Sequence, residues 1–393
     1  MTGPATKPTI FALSSAPGRA AIAVLRVSGP AAADAIRRLT GREPPKPRFA
    51  ALRRIAESGE LIDDALVLWF PGPASETGED LAEFHLHGGR AVVTAGLEAL
   101  SRVPGLRPAG PGEFTRQAFE NGKLDLTAAE AIADLVDAET SAQRRQALRQ
   151  ADGALQLLYD GWRERLLQSL ARLEAVIDFP DEDLPGELPD EITHQISLLR
   201  KEIPLHLEDG GRGERLREGF SIAILGPPNA GKSSLLNFLA RREAAIVSAR
   251  AGTTRDVIEV HLDIAGYPVI LADTAGLRAS MDEIEAEGVR RARDRAARAD
   301  LKLIVIDGAN WPEIDVEAAG MIDAQSLVII SKRDQRQDVP AAPTVEGQPA
   351  IPLSVVTGAG TDALLRELEA RVGEQLAPGE APALTRLRHR QAL

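Results

Sequence analysis

Residues 226–233 read GPPNAGKS, a Gly-x4-Gly-Lys-Ser pattern between the apolar run FSIAILG and the helical stretch SSLLNFLA. Glycines let successive backbone N–H groups curl around phosphate oxygens, and the helix N-terminus behind them adds positive potential. In that setting Lys232 reaches the β- and γ-phosphates of a nucleoside triphosphate, and the Ser233 hydroxyl can ligate magnesium. Asn229, Ala230, Gly231 and Ser234 complete the phosphate-contacting stretch. Outside a strand–loop–helix context the same letters would be only a glycine-rich turn; the context makes them a phosphate cradle.

Two more segments follow in the order a nucleotide switch requires. Gly252-Thr253-Thr254-Arg255-Asp256 lies on a loop before a strand, where a Thr hydroxyl can complete the magnesium shell when the γ-phosphate is present. Asp273-Thr274-Ala275-Gly276 closes the strand PVILA; Asp273 suits an outer contact to magnesium, and the Gly276 amide can sense the γ-phosphate. Such contacts order loops in the triphosphate state and release them after hydrolysis. The three segments together predict a switch-type GTPase rather than a kinase or a transporter ATPase.

The base is expected to meet Ser331-Lys332-Arg333-Asp334, which ends the run SLVIIS. Asp334 can accept hydrogen bonds from N1–H and the 2-amino group of guanine, which adenine cannot supply, and the Lys332 stem can lie along the ring. Ser331 stands where the usual tetrapeptide has Asn. Its shorter side chain is expected to lose a contact to the base or to the phosphate loop, a loss of about 1 kcal/mol. Ser354-Val355-Val356, after AIPL, forms the last base-edge loop and departs from the common Ser-Ala-Lys, although a backbone amide can serve there.

Many small GTPases orient the attacking water with a Gln directly after Asp-x-x-Gly. Here that position is Leu277, which cannot do so. The Asn229 side-chain oxygen can instead hold a monovalent cation against the phosphates, supplying charge where other systems use an arginine. Glu283, Glu285 and Glu287 are candidates for positioning water, or are simply a solvated acidic helix start.

The elements that must position these residues fall into three textures. The chain has 393 residues, 44% apolar and 26% charged, which suits two or three domains with real cores. Residues 1–118 mix short strands (TIFALSS, AIAVLRVSG, ALVLWF) with helices. Residues 119–215 read as helical, with Leu155, Leu158, Trp162, Leu166, Leu170, Leu173 and Ile177 forming one packing stripe. Residues 216–378 alternate strands and helices, the pattern of a mostly parallel α/β sheet. Residues 379–393 begin another helix after the joint LAPGEAPAL. A net charge of −12 argues against nucleic-acid binding by the whole surface. With no cysteine, no signal pattern and no membrane-length apolar stretch, a cytoplasmic protein with no membrane association is expected.

The stretches APGRAAIAVLRVSGP, GEFTRQAFENGKLDLTAAEAIADLVDA, GPPNAGKSSLLNFLA, AAIVSARAGTTRD and DTAGLR are long and unusual. Through them the chain closely resembles the tRNA uridine-modification GTPases of the MnmE (TrmE) family over essentially its whole length. The resemblance implies a multidomain α/β protein: an N-terminal α+β domain that binds tetrahydrofolate, a helical domain, and an inserted P-loop GTPase domain of the Ras-like or Era-like kind. It implies a homodimer whose G domains pair across GTP or GDP with potassium. Magnesium then falls to Ser233 and Thr254, and potassium to Asn229 and the loop from Ser248 to Thr253 (Ser248, Ala249, Arg250, Ala251, Gly252, Thr253), with the carbonyls of Ser248 and Arg250. By its spacing from DTAG, the family's catalytic Glu is Glu285. Arg26, Glu83 and Lys123 take the folate, as 5-formyl- or methylene-tetrahydrofolate. Strand alternation puts Glu83, His85 and His87 on one face, and Arg26 interrupts another strand, where a half-buried guanidinium needs an anionic partner. The implied partners are tRNA and the FAD-dependent protein MnmG, with C5 of the wobble uridine as the modified atom. The family continues past this endpoint with further helices and a near-terminal Cys motif, so a truncated form is expected. The readings that compete with this one are an Era-like GTPase of ribosome assembly and a non-catalytic folate-binding scaffold; intact Lys232, Thr254 and Asp273 oppose the scaffold.

Overall fold

In a computed structural model, residues 8–178, 188–208, 211–242, 245–246, 259–273, 298–336, 338–377, 379 and 382–393 are described. They divide into two compact units, Met1–Glu130 and Ala131–Leu393.

The first unit is built on alternation. In β5 (Leu81–His87) Ala82, Phe84 and Leu86 are buried, while Glu83, His85 and His87 lie on the other face. Its neighbour β2 (Ile22–Ser28) alternates likewise, burying Ala23, Leu25 and Val27. With β1 (Thr9–Leu13), β3 (Ala51–Glu57), β4 (Glu60–Phe70) and β6 (Leu106–Pro108) they form a six-stranded sheet ordered β3-β4-β5-β2-β1-β6. Only the β1–β6 pair is parallel. Helices α1 (Ala32–Thr40) and α2 (Arg90–Ser101) cover the inward residues, with Ile36, Leu39 and Leu100 in the shared core. Helix α3 (Glu113–Glu120) follows, and the division between units falls within α4 (Leu126–Val136).

The second unit opens with helices α5 (Ser141–Ala151), α6 (Ala154–Asp178), α7 (Leu188–Leu207) and α8 (Arg212–Glu218). Thr140 and Gln143 close a capping box at the start of α5, satisfying N–H groups that the helix leaves orphaned. The apolar stripe on α6 is buried only in its first half: Leu155 is 1% exposed, whereas Ile177 is 65% exposed. α7 runs along α6, with Trp162 and Arg165 bonding Glu202 and Arg172 pairing with Glu191, while Leu166, Leu170, Leu173 and Ile177 remain exposed.

An eight-stranded sheet completes this unit, ordered β13-β14-β12-β11-β7-β10-β9-β8. Its strands are β7 (Phe220–Leu225), β8 (Ala245–Ile246), β9 (Glu259–Ile264), β10 (Tyr267–Asp273), β11 (Leu301–Asp307), β12 (Ser326–Ser331), β13 (Thr344–Val345) and β14 (Gln348–Pro352). The five strands β14, β12, β11, β7 and β10 run parallel, and α9 (Lys232–Arg242), α10 (Val316–Ala319) and α11 (Thr361–Leu376) lie between or after them. All six residues of β12 are buried, as expected of a strand covered on both faces. A short helix, α12 (Leu387–Ala392), ends the described chain. The β9–β10 hairpin turns on Ala265-Gly266, both at positive φ (52° and 86°), the conformation of a two-residue I′ turn. The Ala142 N–H of α5 donates to the Gly266 carbonyl at 3.0 Å, so the helical segment holds the end of that hairpin.

Gly308, after β11, shows how tightly the sheet's carboxyl edge is assembled: a Cβ there would sit 2.1 Å from the Ser331 carbonyl oxygen. Gly308→Ala must therefore push apart the ends of β11 and β12, at a cost of about 2 kcal/mol. Thermal melting followed by circular dichroism should show a fall of about 4 °C or more; an unchanged midpoint would refute the steric argument.

Candidate functional site

The carboxyl ends of parallel strands are where open α/β sheets bind ligands, and three of the predicted segments meet there. β7 runs straight into the phosphate loop. Gly226 has φ 142°, and a Cβ on it would lie 2.2 Å from the Val305 carbonyl oxygen of β11. Only glycine makes this turn. Asn229 (φ 64°) and Gly231 (φ 98°) continue the curl, and Asn229 is exposed. Lys232, 9% exposed, folds back so that its Nζ donates to the carbonyls of Gly226 and Pro227, 2.7 Å each. Its ammonium is thus held over the loop that would surround the phosphates. Ser233 and Ser234 are exposed on the first turn of α9, and Ala230 is fully buried. On the next strand Asp273 pairs in register with Ile224, which brings its backbone level with the loop's beginning.

The loop predicted to read the base lies on the other side of β11. Ser331, 8% exposed, has its Oγ 2.5 Å from the Ala230 carbonyl and 3.0 Å from the Ile306 carbonyl. The tie to the phosphate loop that the shorter side chain put in question is therefore made, by a hydroxyl instead of a carboxamide. Lys332 adopts left-handed φ (54°), and its Nζ pairs with Asp307 Oδ2 at 2.6 Å. Asp334 is exposed and makes no side-chain hydrogen bond to a described residue. The Arg333 N–H donates to Leu353 and the Leu353 N–H to Ile330, stitching this loop to the last one. There Ser354 is buried and accepts from the Thr357 N–H at 3.2 Å, Val355 packs on the core, and Val356 is 82% exposed. Ser248, Ala249, Arg250, Ala251, Gly252, Thr253, Thr254, Thr274, Ala275, Gly276 and Glu285 lie outside the described residues, as does the side chain of Asp273.

The first unit carries a separate polar cluster on its sheet. Arg26 and Glu83 are register partners on β2 and β5. The Arg26 guanidinium donates twice to Glu83 Oε1, at 3.0 and 2.8 Å, and its other nitrogen pairs with Glu76 at 2.9 Å. Glu83 Oε2 meets His85 Nε2 at 3.1 Å, while His87 turns away to Asp63. Lys123 donates to the Pro73 carbonyl at 2.9 Å. Two participants escaped sequence reasoning. Glu76 sits in an aperiodic loop that carries no signal, whereas Asp307 left one, an acid closing an apolar strand just before a glycine.

Comparison with known proteins gives the family. Residues 9–123 match the family model described as GTP-binding protein TrmE N-terminus, and residues 126–393 match the MnmE helical domain. A tRNA modification GTPase MnmE of Paramagnetospirillum magneticum is 59% identical, covering 98% of this chain and 87% of that protein. The MnmE of Rhodospirillum rubrum is 56% identical over 99% of this chain and 88% of its own length. Among solved structures, the G domain of the T. maritima FeoB iron transporter is 26% identical over 39% of this chain and 97% of its own, with a TM-score of 0.29, too loose a superposition to argue from. Among the described residues no helix is long and apolar enough to cross a membrane. The identity, sustained across both units, places this chain in the MnmE (TrmE) family of tRNA modification GTPases.

Proposed function

We propose that this GTPase acts with the FAD-dependent partner MnmG on C5 of the wobble uridine of tRNA, drawing one carbon from a tetrahydrofolate derivative. GTP hydrolysis, on this reading, is driven by potassium-dependent pairing of G domains in a homodimer. The observation that carries the nucleotide side is the junction of loops at one sheet edge, with Lys232 folded over Gly226 and Pro227 and Ser331 bonded to Ala230. Water attacks the γ-phosphorus, the bond to the β–γ bridging oxygen breaks, and GDP and phosphate leave.

In that scheme Lys232 and the loop amides hold the phosphates, and Ser233 and Thr254 would hold magnesium, which neutralises charge on the β- and γ-oxygens. The exposed, left-handed Asn229 suits a potassium ligand, and Ser248, Arg250 and Thr253 would supply further oxygens to the ion. That ion would supply positive charge where Leu277 offers none. Glu285 orients the attacking water. In the first unit Arg26, Glu83 and Lys123 would take the folate; the Glu83 carboxylate, already accepting from Arg26, can also accept from the donor edge of a pterin. We assign 1–118 to the folate-binding domain, 119–215 and 379–393 to the helical domain, and 216–378 to the G domain.

Turnover of GTP should be clearly faster in potassium than in sodium at equal ionic strength, and Asn229→Ala should remove the difference. A wild-type rate indifferent to the cation would sink the potassium assignment. Glu285→Ala should lower kcat by about two orders of magnitude with GDP affinity nearly unchanged, because the residue acts only in the transition state; a parallel loss of GDP binding would make it structural. In titrations with 5-formyltetrahydrofolate, Arg26→Ala should weaken binding about tenfold or more and leave GDP affinity alone. Equal folate affinity in the two proteins would remove Arg26 from the site.

A further inference from the structure

The first residue of the base-reading tetrapeptide has one proton to give, and the structure shows where it goes. A serine hydroxyl is a single donor, and a carbonyl oxygen can only accept. Ser331 Oγ faces two carbonyls, Ala230 at 2.5 Å and Ile306 at 3.0 Å, in a place where its side chain is almost wholly buried. Its proton is committed to one or shared between them. What remains on that oxygen is lone pairs. N7 of guanine is also an acceptor only, so the two atoms have no proton to share.

An asparagine in the same place would carry two N–H donors and an oxygen, enough to serve the loop and the base together. Serine must choose, and the geometry has chosen the loop. The choice is reinforced on both sides. A Cβ on Gly231 would lie 3.6 Å from the Ser331 Cβ and Oγ, so the phosphate and base loops are already in contact. The Ser331 carbonyl abuts Gly308, which anchors the strand end from below. Turning the hydroxyl towards a base would strip a buried carbonyl of its donor. By contrast the Asp334 carboxylate is exposed and free of side-chain hydrogen bonds to described residues.

We infer that this GTPase does not read N7 of guanine through its tetrapeptide: Ser331 is a positioning residue that clamps the base loop to the phosphate loop, and discrimination rests on the N1–H and 2-amino edge. The inference rests on the assignment of Asp334 as the guanine reader, so the test separates the two.

Displacement of a fluorescent GDP from the whole chain should be measured with GDP, with 7-deaza-GDP (N7 replaced by C–H) and with IDP (no 2-amino group). The expected result is 7-deaza-GDP within about twofold of GDP and IDP weaker by about tenfold or more. Ser331→Asn should create a preference for GDP over 7-deaza-GDP of about fivefold or more. Ser331→Ala should weaken all three ligands by a common factor and leave their ratios unchanged, as loss of a clamp requires. A wild-type preference for GDP over 7-deaza-GDP of about fivefold or more, with IDP still weak, would overturn the inference while sparing Asp334. IDP binding as tightly as GDP would instead overturn the Asp334 assignment, and this inference with it. The wild-type comparison stands even if a variant fails to fold.

Discussion

The carbonyl of Val305 presses so closely on Gly226 that the backbone there has one available course. β7 and β11 are paired in register up to Leu225 and Ile304, so the chain must leave the sheet at the next residue and must do so without a side chain. Everything at the nucleotide site follows from that exit. The loop curls through Asn229 and Gly231, α9 begins at Lys232, and the lysine reaches back over the loop it has just left. The phosphate cradle is thus a consequence of how two parallel strands end together.

The base side is held by the same logic at the next pair. β11 and β12 run in register to Asp307 and Ser331, which sets Asp307 beside Lys332 and Ser331 beside Ala230. One hydroxyl joins the loops that flank β11, and it does so with a bond to backbone, which is indifferent to the side chain at 230. A contact of that kind holds the two loops together whatever side chain stands at 230.

The polar cluster of the first unit obeys a different rule, that of antiparallel pairing. Arg26 and Glu83 face each other because β2 and β5 align Ile22 with His87, and the two positions lie on the face that α1 and α2 do not cover. The Arg26 guanidinium meets two carboxylates there, Glu83 and Glu76. In the second unit, α5 is capped at its start and bonded through Ala142 to the turn of the hairpin whose other end is Asp273. The helical segment and the nucleotide-binding sheet are therefore parts of one compact unit, although composition alone draws a line near residue 215.

Much of this was legible in the residues. The alternation of apolar strands with helical stretches determined a mostly parallel α/β sheet, and the phosphate-loop motif sits directly at the end of one of its strands. Alternation likewise placed Glu83, His85 and His87 on one face of a strand. Tertiary structure decided what depends on residues far apart in the chain. The hydroxyl bonded to the Ala230 carbonyl comes from a side chain 101 positions away, so the sequence could raise the question of whether Ser331 reaches the phosphate loop but not answer it. Glu76 joins Arg26 only because a loop without periodicity returns to the sheet. The α6 stripe reads as uniformly apolar, yet Leu155 is buried and Leu166, Leu170, Leu173 and Ile177 are exposed, because periodicity records which face is apolar and packing alone determines how much of it a partner covers.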